Sequence, residues 1–365
     1  VLPKGWNKAV GLNYYLKEAG FNIDDVVFVG DAIYPGGNDY PISQLNIKSY
    51  KVNGPSDTEA VIEKIMLQDR MPDPINPVAY FSMEYAINND PSMYAGGLGV
   101  LSGDYVLQAG KDNFPMIAFG LKYGDNIPEG FKILKQGNEN LILSIPIGEG
   151  SVKAQVWYKE ISSSGNTKLY LLDSDISENS EEDRKITKNL YDSVFYSRLK
   201  QQIVLGIGGI KLIKTLNIKP SVFHLNEGHT AFAGVGILNE MDSDDIKSIV
   251  ATKHTILPEA GLFIKYEDLN SLLGKYCKEN NKDIKDIFEK GKYEGDENLF
   301  STTKFIMQIS VRSNGVSNAH VKYEKRAHPH SKLISITNGV FVDRWQSKDL
   351  KNIPKDYSDE DYWNT

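Results

Sequence analysis

The chain has 365 residues, a formal net charge of −7, 41% hydrophobic and 24% charged residues. That length allows two or three domains of about 100–200 residues each. The acidic balance excludes nucleic-acid binding through a general basic surface, and the apolar runs fall short of the roughly 18 residues of a membrane span.

The one cysteine, Cys277, excludes an internal disulfide and a cysteine-rich metal site, and fits a reducing cytoplasm. VLPKGWNKAVGL has no signal-peptide pattern, and the first residue is Val1 rather than methionine, so a missing start is expected. In chain order, KAVGLNYYLKEAG reads as a helix and Val26–Val29 as a strand. A turn-rich stretch, GDAIYPGGNDY, follows, then a short strand and the helix DTEAVIEKIML. This helix–strand–loop–helix alternation predicts an α/β unit over residues 1–70. Three prolines in Met71–Pro77 predict a linker over 71–77, because proline fixes φ and removes a donor. The pattern restarts at Val78 and continues as a domain over 78–365.

There, VAYFSM reads as a strand, YAGGLGVLSGDYVLQAGK as a glycine loop opening a helix, and MIAFGLKY as a strand. Residues 132–174 read as β-hairpins, with Ser163-Ser164-Gly165-Asn166 at a turn. SEEDRKITKNLY and RLKQQIVLGIGGIKLIKTL read as helices, the second with a stripe of Leu199, Ile203, Ile207 and Ile210. The GIGG of residues 206–209 lies inside that stripe and does not fit G-x-G-x-x-G, so it reads as helix packing. The runs VFHLNEGH, IVATKHT and LISITNG each end in polar residues. In open parallel sheets ligands sit beyond such strand ends, so these groups are expected to converge on one cleft.

Two constellations carry chemistry. In the first, Asp31 follows a strand and Asn38-Asp39 follow a glycine turn. Hard oxygen donors there suit Mg²⁺, and Lys8 suits a phosphoryl group. A polar loop with a solvated lysine satisfies the same pattern. GWNK, VVFVGDAIYPGGNDY and GPSDT together resemble the C-terminal end of haloacid-dehalogenase-type (HAD-like) hydrolases, in the phosphomannomutase and sugar-phosphate phosphatase branch. The resemblance covers about residues 4–70. It implies that Lys8 is the phosphate-stabilising lysine and that Asp31, Asn38 and Asp39 form the Mg²⁺ motif. The nucleophilic Asp of that family lies in an upstream DxD motif, so no phospho-aspartate and no phosphatase activity are expected of this chain.

In the second, Gly96-Gly97-Leu98-Gly99 opens a helix, which suits an anion as well as a packed turn. Glu227 and His229 sit two apart after a strand, where they suit sugar hydroxyls or a helix cap. The histidines carry no zinc spacing such as H-E-x-x-H. The ordered set YAGGLGVLSGD, LLDSDISENSEEDRKIT, LKQQIVLGIGGIKLIK, HLNEGHTAF, KHTILPEA, NGVSNAH and TNGVFVDRW strongly resembles the α-glucan (glycogen, starch, maltodextrin) phosphorylases. VAYFSMEYAIN and the NEGH form are similar to the short prokaryotic branch. The resemblance runs from about Val78 to Trp345.

It implies a Rossmann-like, glycosyltransferase B-type α/β domain with a β-hairpin insertion, preceded by a partial HAD-like α/β segment. It also implies roles for individual residues. Gly96 and Gly97 lie beside the phosphates and cofactor, and Leu98 beside the glucosyl unit. His254, followed by Thr255, contacts the sugar at the bond being cut, and Asn338 binds its hydroxyls. Val316 and His320 form a wall, Glu227 and His229 line the cleft, and Trp345 lies near the cofactor. The aromatic that helps hold the cofactor in larger members is not matched, since Ala86 stands there beside Tyr85, and no regulatory N-terminal segment is recognisable.

The family's reaction is phosphorolysis of an α-1,4-glucan or maltodextrin by phosphate, giving glucose 1-phosphate with the help of pyridoxal phosphate. The family's cofactor lysine follows TNG…RW, so this chain is expected to lack it and to be inactive alone. Two other readings compete: a fragment of a sugar-phosphate phosphatase, and a non-catalytic glucan-binding module. A nucleotide-sugar glycosyltransferase shares the fold plan but not the ordered motifs.

Overall fold

A computed structural model describes residues 7–19, 22–23, 26–45, 47–70, 76–88, 90–242, 248–256, 261–327 and 332–346. The chain divides into two compact units, Val1–Met71 and Pro72–Thr365. Residues 71–75 of the proline-rich stretch and the Leu257–Ala260 end of KHTILPEA lie outside the described residues.

In the first unit, helix α1 (Lys8–Ala19) precedes strand β1 (Val27–Gly30), a single helical turn α2 (Tyr40–Ser43), strand β2 (Lys48–Lys51) and helix α3 (Pro55–Arg70). Strands β1 and β2 pair in parallel, which requires the crossover that α2 and its loop supply.

The second unit is built on one large sheet. Its first strands are β3 (Val78–Phe81) and β4 (Met116–Leu121), joined through helix α4 (Gly97–Lys111). Strands β5 (Lys132–Ile133), β6 (Lys135–Gln136), β7 (Glu139–Asn140), β8 (Ile142–Ile147) and β9 (Gly150–Glu160) make antiparallel hairpins, and β10 (Thr167–Asp173) returns parallel to β4. Helix α5 (Glu181–Arg184) and the long α6 (Phe195–Thr215) lead to β11 (Val222–Asn226), α7 (Ala231–Glu240) and β12 (Ile249–Lys253). A small antiparallel sheet of β13 (Phe263–Lys265), β14 (Lys292–Tyr293) and β15 (Asp296–Ser301) carries helices α8 (Tyr266–Glu279), α9 (Ile284–Gly291) and α10 (Thr302–Ile309). The chain then adds β16 (Arg312–Gly315), α11 (Asn318–Ala327), β17 (Ile334–Ser335) and α12 (Val342–Trp345).

The parallel part of the sheet runs β17-β16-β12-β11-β3-β4-β10. The chain starts at β3, builds outward through β4 and β10, and then crosses back to lay β11 on the other side of β3. The strand order therefore reverses between β3 and β11, where an open parallel sheet forms its ligand crevice.

Helix α6 is buried nearly all round, including Leu199, Ile203, Ile207 and Ile210. Its glycines do pack. A Cβ on Gly206 would lie 2.2 Å from Ala233 N of α7, and one on Gly209 would lie 2.5 Å from Phe81 Cε1.

The expected helix over SEEDRKITKNLY is only the single turn α5. The side chains and carbonyls beyond it are drawn elsewhere. Thr187 Oγ1 accepts from Ser174 N–H at 3.1 Å, and Gln201 Nε2 donates to the carbonyls of Ile186 and Asn189 at 2.8 and 2.6 Å. Such local partners compete with a helical ladder. Among the described residues no helix is long and apolar enough to cross a membrane.

Candidate active site

The crevice between β3 and β11 is closed by a chain of buried polar contacts. Asn226, the last residue of β11, donates from Nδ2 to Ser82 Oγ at 3.3 Å and to Ser102 Oγ at 3.2 Å. Ser82 follows β3, and Ser102 lies on α4, where its hydroxyl donates to Leu98 O at 2.9 Å. On its other side, Asn226 Oδ1 is 2.7 Å from His254 Nε2. Since the amide oxygen only accepts, the imidazole carries its proton on Nε2 and presents Nδ1 as an acceptor. His254 is thus tied through Asn226 and Ser102 to the backbone of the glycine loop.

Glu227 is the strained member. Its backbone stands at φ +72°, ψ 165°, a region that is essentially glycine's alone. Its carboxylate, 1% exposed, accepts backbone N–H bonds from Gly228 at 3.0 Å, His254 at 2.8 Å and Thr255 at 3.1 Å. Burial pushes its pKa up, against the pull of those three donors. Glu227 both caps the short helical turn that follows it and shapes the start of the KHT loop. Of the two uses that the sequence left open, the helix cap is the one these contacts fill.

Next to this frame lies a cavity of about 740 Å³ lined by His254, Thr255, Ile256, Val316, His320, Tyr323 and Arg326. That volume is in the range of small-ligand sites. Burial lowers the His254 pKa to about 4, with His320 contributing, and burial lowers that of His320 as well. His229 is also lowered to about 4, by burial first and by the charge of Arg198 second. These imidazoles are neutral near pH 7, suited to hydrogen bonding rather than to carrying charge. His229 packs its ring 5.2 Å from that of Tyr191, and its Nδ1 is buried without a hydrogen-bond partner.

The glycine loop is joined to His254 through Asn226 and Ser102. Gly96 is the N-cap of α4 in an extended conformation, and a Cβ at Gly96 or Gly97 would meet nothing within 4 Å. Neither φ nor packing demands glycine at these two positions, so the space above them stays open. Gly99 differs, because a Cβ there would lie 2.5 Å from Glu84 Oε2. The loop is propped by the buried Glu84, whose Oε2 accepts from the N–H groups of Ala95 at 2.6 Å and Gly96 at 3.3 Å. The Tyr191 hydroxyl donates to the other oxygen at 2.7 Å.

Asn338 is exposed and held by its backbone, whose N–H reaches Val316 O at 3.2 Å. Trp345 is 59% exposed and donates its indole N–H to Asp104 Oδ2 at 2.8 Å. Tyr85, beside Ala86, is buried and turns its hydroxyl to Phe119 O at 3.0 Å, within the core. Asn226, Glu84, Tyr191 and Asp104 were not singled out by the sequence. Asn226 had a usable signal as the polar residue that ends an apolar strand.

In the first unit, Lys8 pairs directly with Asp39 Oδ1, and Ala32 N–H donates to Asp39 Oδ2 at 3.0 Å. Asp39 is buried, and the Lys8 contact holds its pKa below the usual carboxylate range. Asp31 and Asn38 are exposed. Both Asp39 oxygens are thus engaged by protein donors, and among the described residues no group of three or more His, Cys, Asp or Glu is placed to hold a metal.

The fold is that of a glycosyltransferase B-type domain. The solved catalytic domain of starch synthase IV from Arabidopsis thaliana, bound to ADP and acarbose, superposes with a TM-score of 0.57 at 14% identity, covering 74% of this chain and 53% of that one. Sequence comparison is more particular. Maltodextrin phosphorylase of Thermococcus litoralis is 32% identical over 322 residues, 77% of this chain and 38% of the relative. Glycogen phosphorylase of Mycobacterium tuberculosis is 27% identical over 341 residues, 78% of this chain and 39% of the relative. Residues 1–68 match the family model of eukaryotic phosphomannomutase, and Drosophila melanogaster phosphomannomutase is 37% identical over 67 residues, 18% of this chain and 26% of that protein. The chain is therefore homologous to the glycogen and maltodextrin phosphorylases over most of its length, behind a phosphomannomutase-type, HAD-like segment. It spans about two fifths of the length of those phosphorylases.

Proposed function

We propose that the second unit is the glucan-facing half of an α-1,4-glucan phosphorylase, which binds the non-reducing end of a maltodextrin for attack by phosphate to give glucose 1-phosphate. The observation that carries this reading is the joining of His254 to Asn226, and through Ser102 to the glycine loop, across the crevice where the strand order reverses. Neutral groups suit sugar hydroxyls. His254, Asn338 and the wall of Val316 and His320 are the proposed sugar contacts, with Leu98 at the glucosyl unit and Glu227 and His229 shaping the cleft. A helix N-terminus with open glycines suits the phosphate of substrate or cofactor, which assigns Gly96, Gly97 and Trp345 to that side.

Pyridoxal phosphate is the cofactor this reading implies. The residues present fit it only in part. The open glycine loop suits its phosphate, but the lysine next to His254 does not suit its aldehyde. Lys253 Nζ is buried 2.8 Å from Glu324 Oε2. No chemical step through the cofactor follows from these residues. A cytoplasmic setting belongs to the same proposal and fits a chain whose one cysteine is buried and free.

For the first unit, Lys8 is proposed to hold a phosphoryl group and Asp31, Asn38 and Asp39 to ligate Mg²⁺, with the Lys8–Asp39 contact joining the two sets. The test is phosphorolysis of maltodextrin by this chain with added pyridoxal phosphate, alongside titration with maltopentaose. Maltopentaose binding without release of glucose 1-phosphate is expected. Absence of binding would remove the glucan reading, and product release would show that these residues suffice for chemistry.

A further inference from the structure

We propose that Asp104 is a positioning residue, whose carboxylate clamps the Asn338–Trp345 segment onto the helix that opens with the glycine loop and so sets the spacing of the two walls of the cleft. This rests on the glucan-binding reading of that cleft. Asp104 lies seven residues after Gly97 on α4, two turns along the same face. It is 2% exposed. Its Oδ2 accepts the backbone N–H of Phe341 at 3.0 Å and the indole N–H of Trp345 at 2.8 Å, and its Oδ1 lies 2.7 Å from Arg344 Nη1 as an ion pair. Two hydrogen-bond donors and one ion-paired guanidinium from one short stretch thus converge on a single carboxylate.

The clamp extends to the loop after β3. Arg344 Nη2 donates to Ala86 O, Ala86 N–H donates to Gly99 O at 2.8 Å, and a Cβ on Gly103 would lie 2.3 Å from Ala86 O. At its other end the segment is tied to Val316 O by Asn338 N–H, and Val316 lines the cavity with His254.

Apolar burial does not hold the segment in place. Val340, Val342 and Trp345 are 61%, 54% and 59% exposed. The exposed Lys111–Asp343 pair adds little. A buried carboxylate with charge-assisted partners is the strong contact here, and removing it frees the Phe341 N–H, the Trp345 indole and the Arg344 Nη1 at once.

The experiment is hydrogen exchange by NMR at the Phe341 amide and the Trp345 indole of the whole chain, paired with maltopentaose titration. Asp104→Ala is expected to speed exchange at both sites by roughly ten- to a hundredfold and to weaken maltopentaose binding about tenfold. Protection in β11 and β12 is expected to stay. Asp104→Asn keeps one acceptor oxygen for Phe341 and Trp345 while losing Arg344, so it is expected to fall between wild type and Asp104→Ala. Unchanged protection at Phe341 and Trp345 would overturn the clamp. Lost protection with unchanged affinity would overturn its positioning role. A wild-type chain that does not bind maltopentaose overturns the glucan reading, and with it the positioning role, while the exchange data judge the clamp separately. If Asp104→Ala does not fold, Asp104→Asn and Arg344→Met are read by the same criteria.

Discussion

The Glu227 carboxylate accepts the backbone N–H of His254 at 2.8 Å from a residue held at φ +72°. A non-glycine residue in that region costs about 1–3 kcal/mol, which the surrounding contacts must offset. Two contributions can be separated by substitution. Glu227→Ala keeps the strain and leaves three backbone N–H groups without their acceptor, whereas Glu227→Gly relieves the strain and leaves the same groups unpaired. Both variants are expected to lose stability in urea unfolding, alanine by about 1 kcal/mol more than glycine. Equal losses would show that the backbone at Glu227 is not strained.

The paired glycines give a second prediction. Because a Cβ at Gly96 or Gly97 meets nothing within 4 Å, Gly97→Ala is expected to leave thermal stability unchanged or raise it slightly. The same substitution is expected to weaken maltopentaose or phosphate binding by filling space that a ligand uses. Gly206→Ala is the contrast, since its Cβ would lie 2.2 Å from Ala233 N, and it is expected to destabilise by about 1–3 kcal/mol. Calorimetry on the two variants, with and without maltopentaose, separates a ligand-facing glycine from a packing one.

Much of this frame was legible in the sequence because it is written locally. Apolar runs such as VFHLN and IVATK mark strands, and the polar residues just beyond them mark the ligand end of a parallel sheet. The contacts that assemble the cleft were not legible for the opposite reason. Tyr191 reaches Glu84 across 107 residues of chain, and Trp345 reaches Asp104 across 241. A buried carboxylate has no local pattern that distinguishes it from a solvated one. The short strand β16 was also hidden, since RSNG carries no apolar alternation and is held by backbone pairing with β12 and β17 and by the Thr252 hydroxyl, which donates to Asn314 Oδ1 at 2.9 Å. The over-long helix after Ser180 failed where Thr187 and the Gln201 amide offered the backbone other partners.

The buried imidazoles predict a pH dependence. His224, His229 and His254 are each lowered to about 4, chiefly by burial, against an ordinary value of 6.5. The unfolded chain takes up protons as pH falls through about 6.5, while the folded chain holds out until about 4. Stability is therefore full above about pH 6.5 and falls between 6.5 and 4, by about 3 kcal/mol at most for each imidazole. His224→Gln keeps a polar partner for Thr252 Oγ1, which lies 2.7 Å from the His224 ring nitrogen, and is expected to flatten this fall. Melting curves from pH 7.5 to 4.5 would show it, and parallel slopes for the variant and wild type would deny His224 a share.

The ion pair of Lys253 and Glu324 gives the last prediction. Lys253 ends β12 directly before His254, and Glu324 sits on α11 beside the cavity-lining Tyr323. The ammonium lies 2.9 and 2.8 Å from the two carboxylate oxygens, and both side chains are buried. Removing one partner strands the other charge in a poorly solvated place, whereas removing both leaves only a packing change. Lys253→Met is expected to destabilise by about 3–5 kcal/mol, and Lys253→Met with Glu324→Leu to recover most of that loss. A double-mutant cycle in urea measures the coupling. Strong coupling would mean that the pair fixes α11 against the strand that carries His254. Additive losses would mean that water already reaches the pair and that α11 is positioned by its apolar contacts alone.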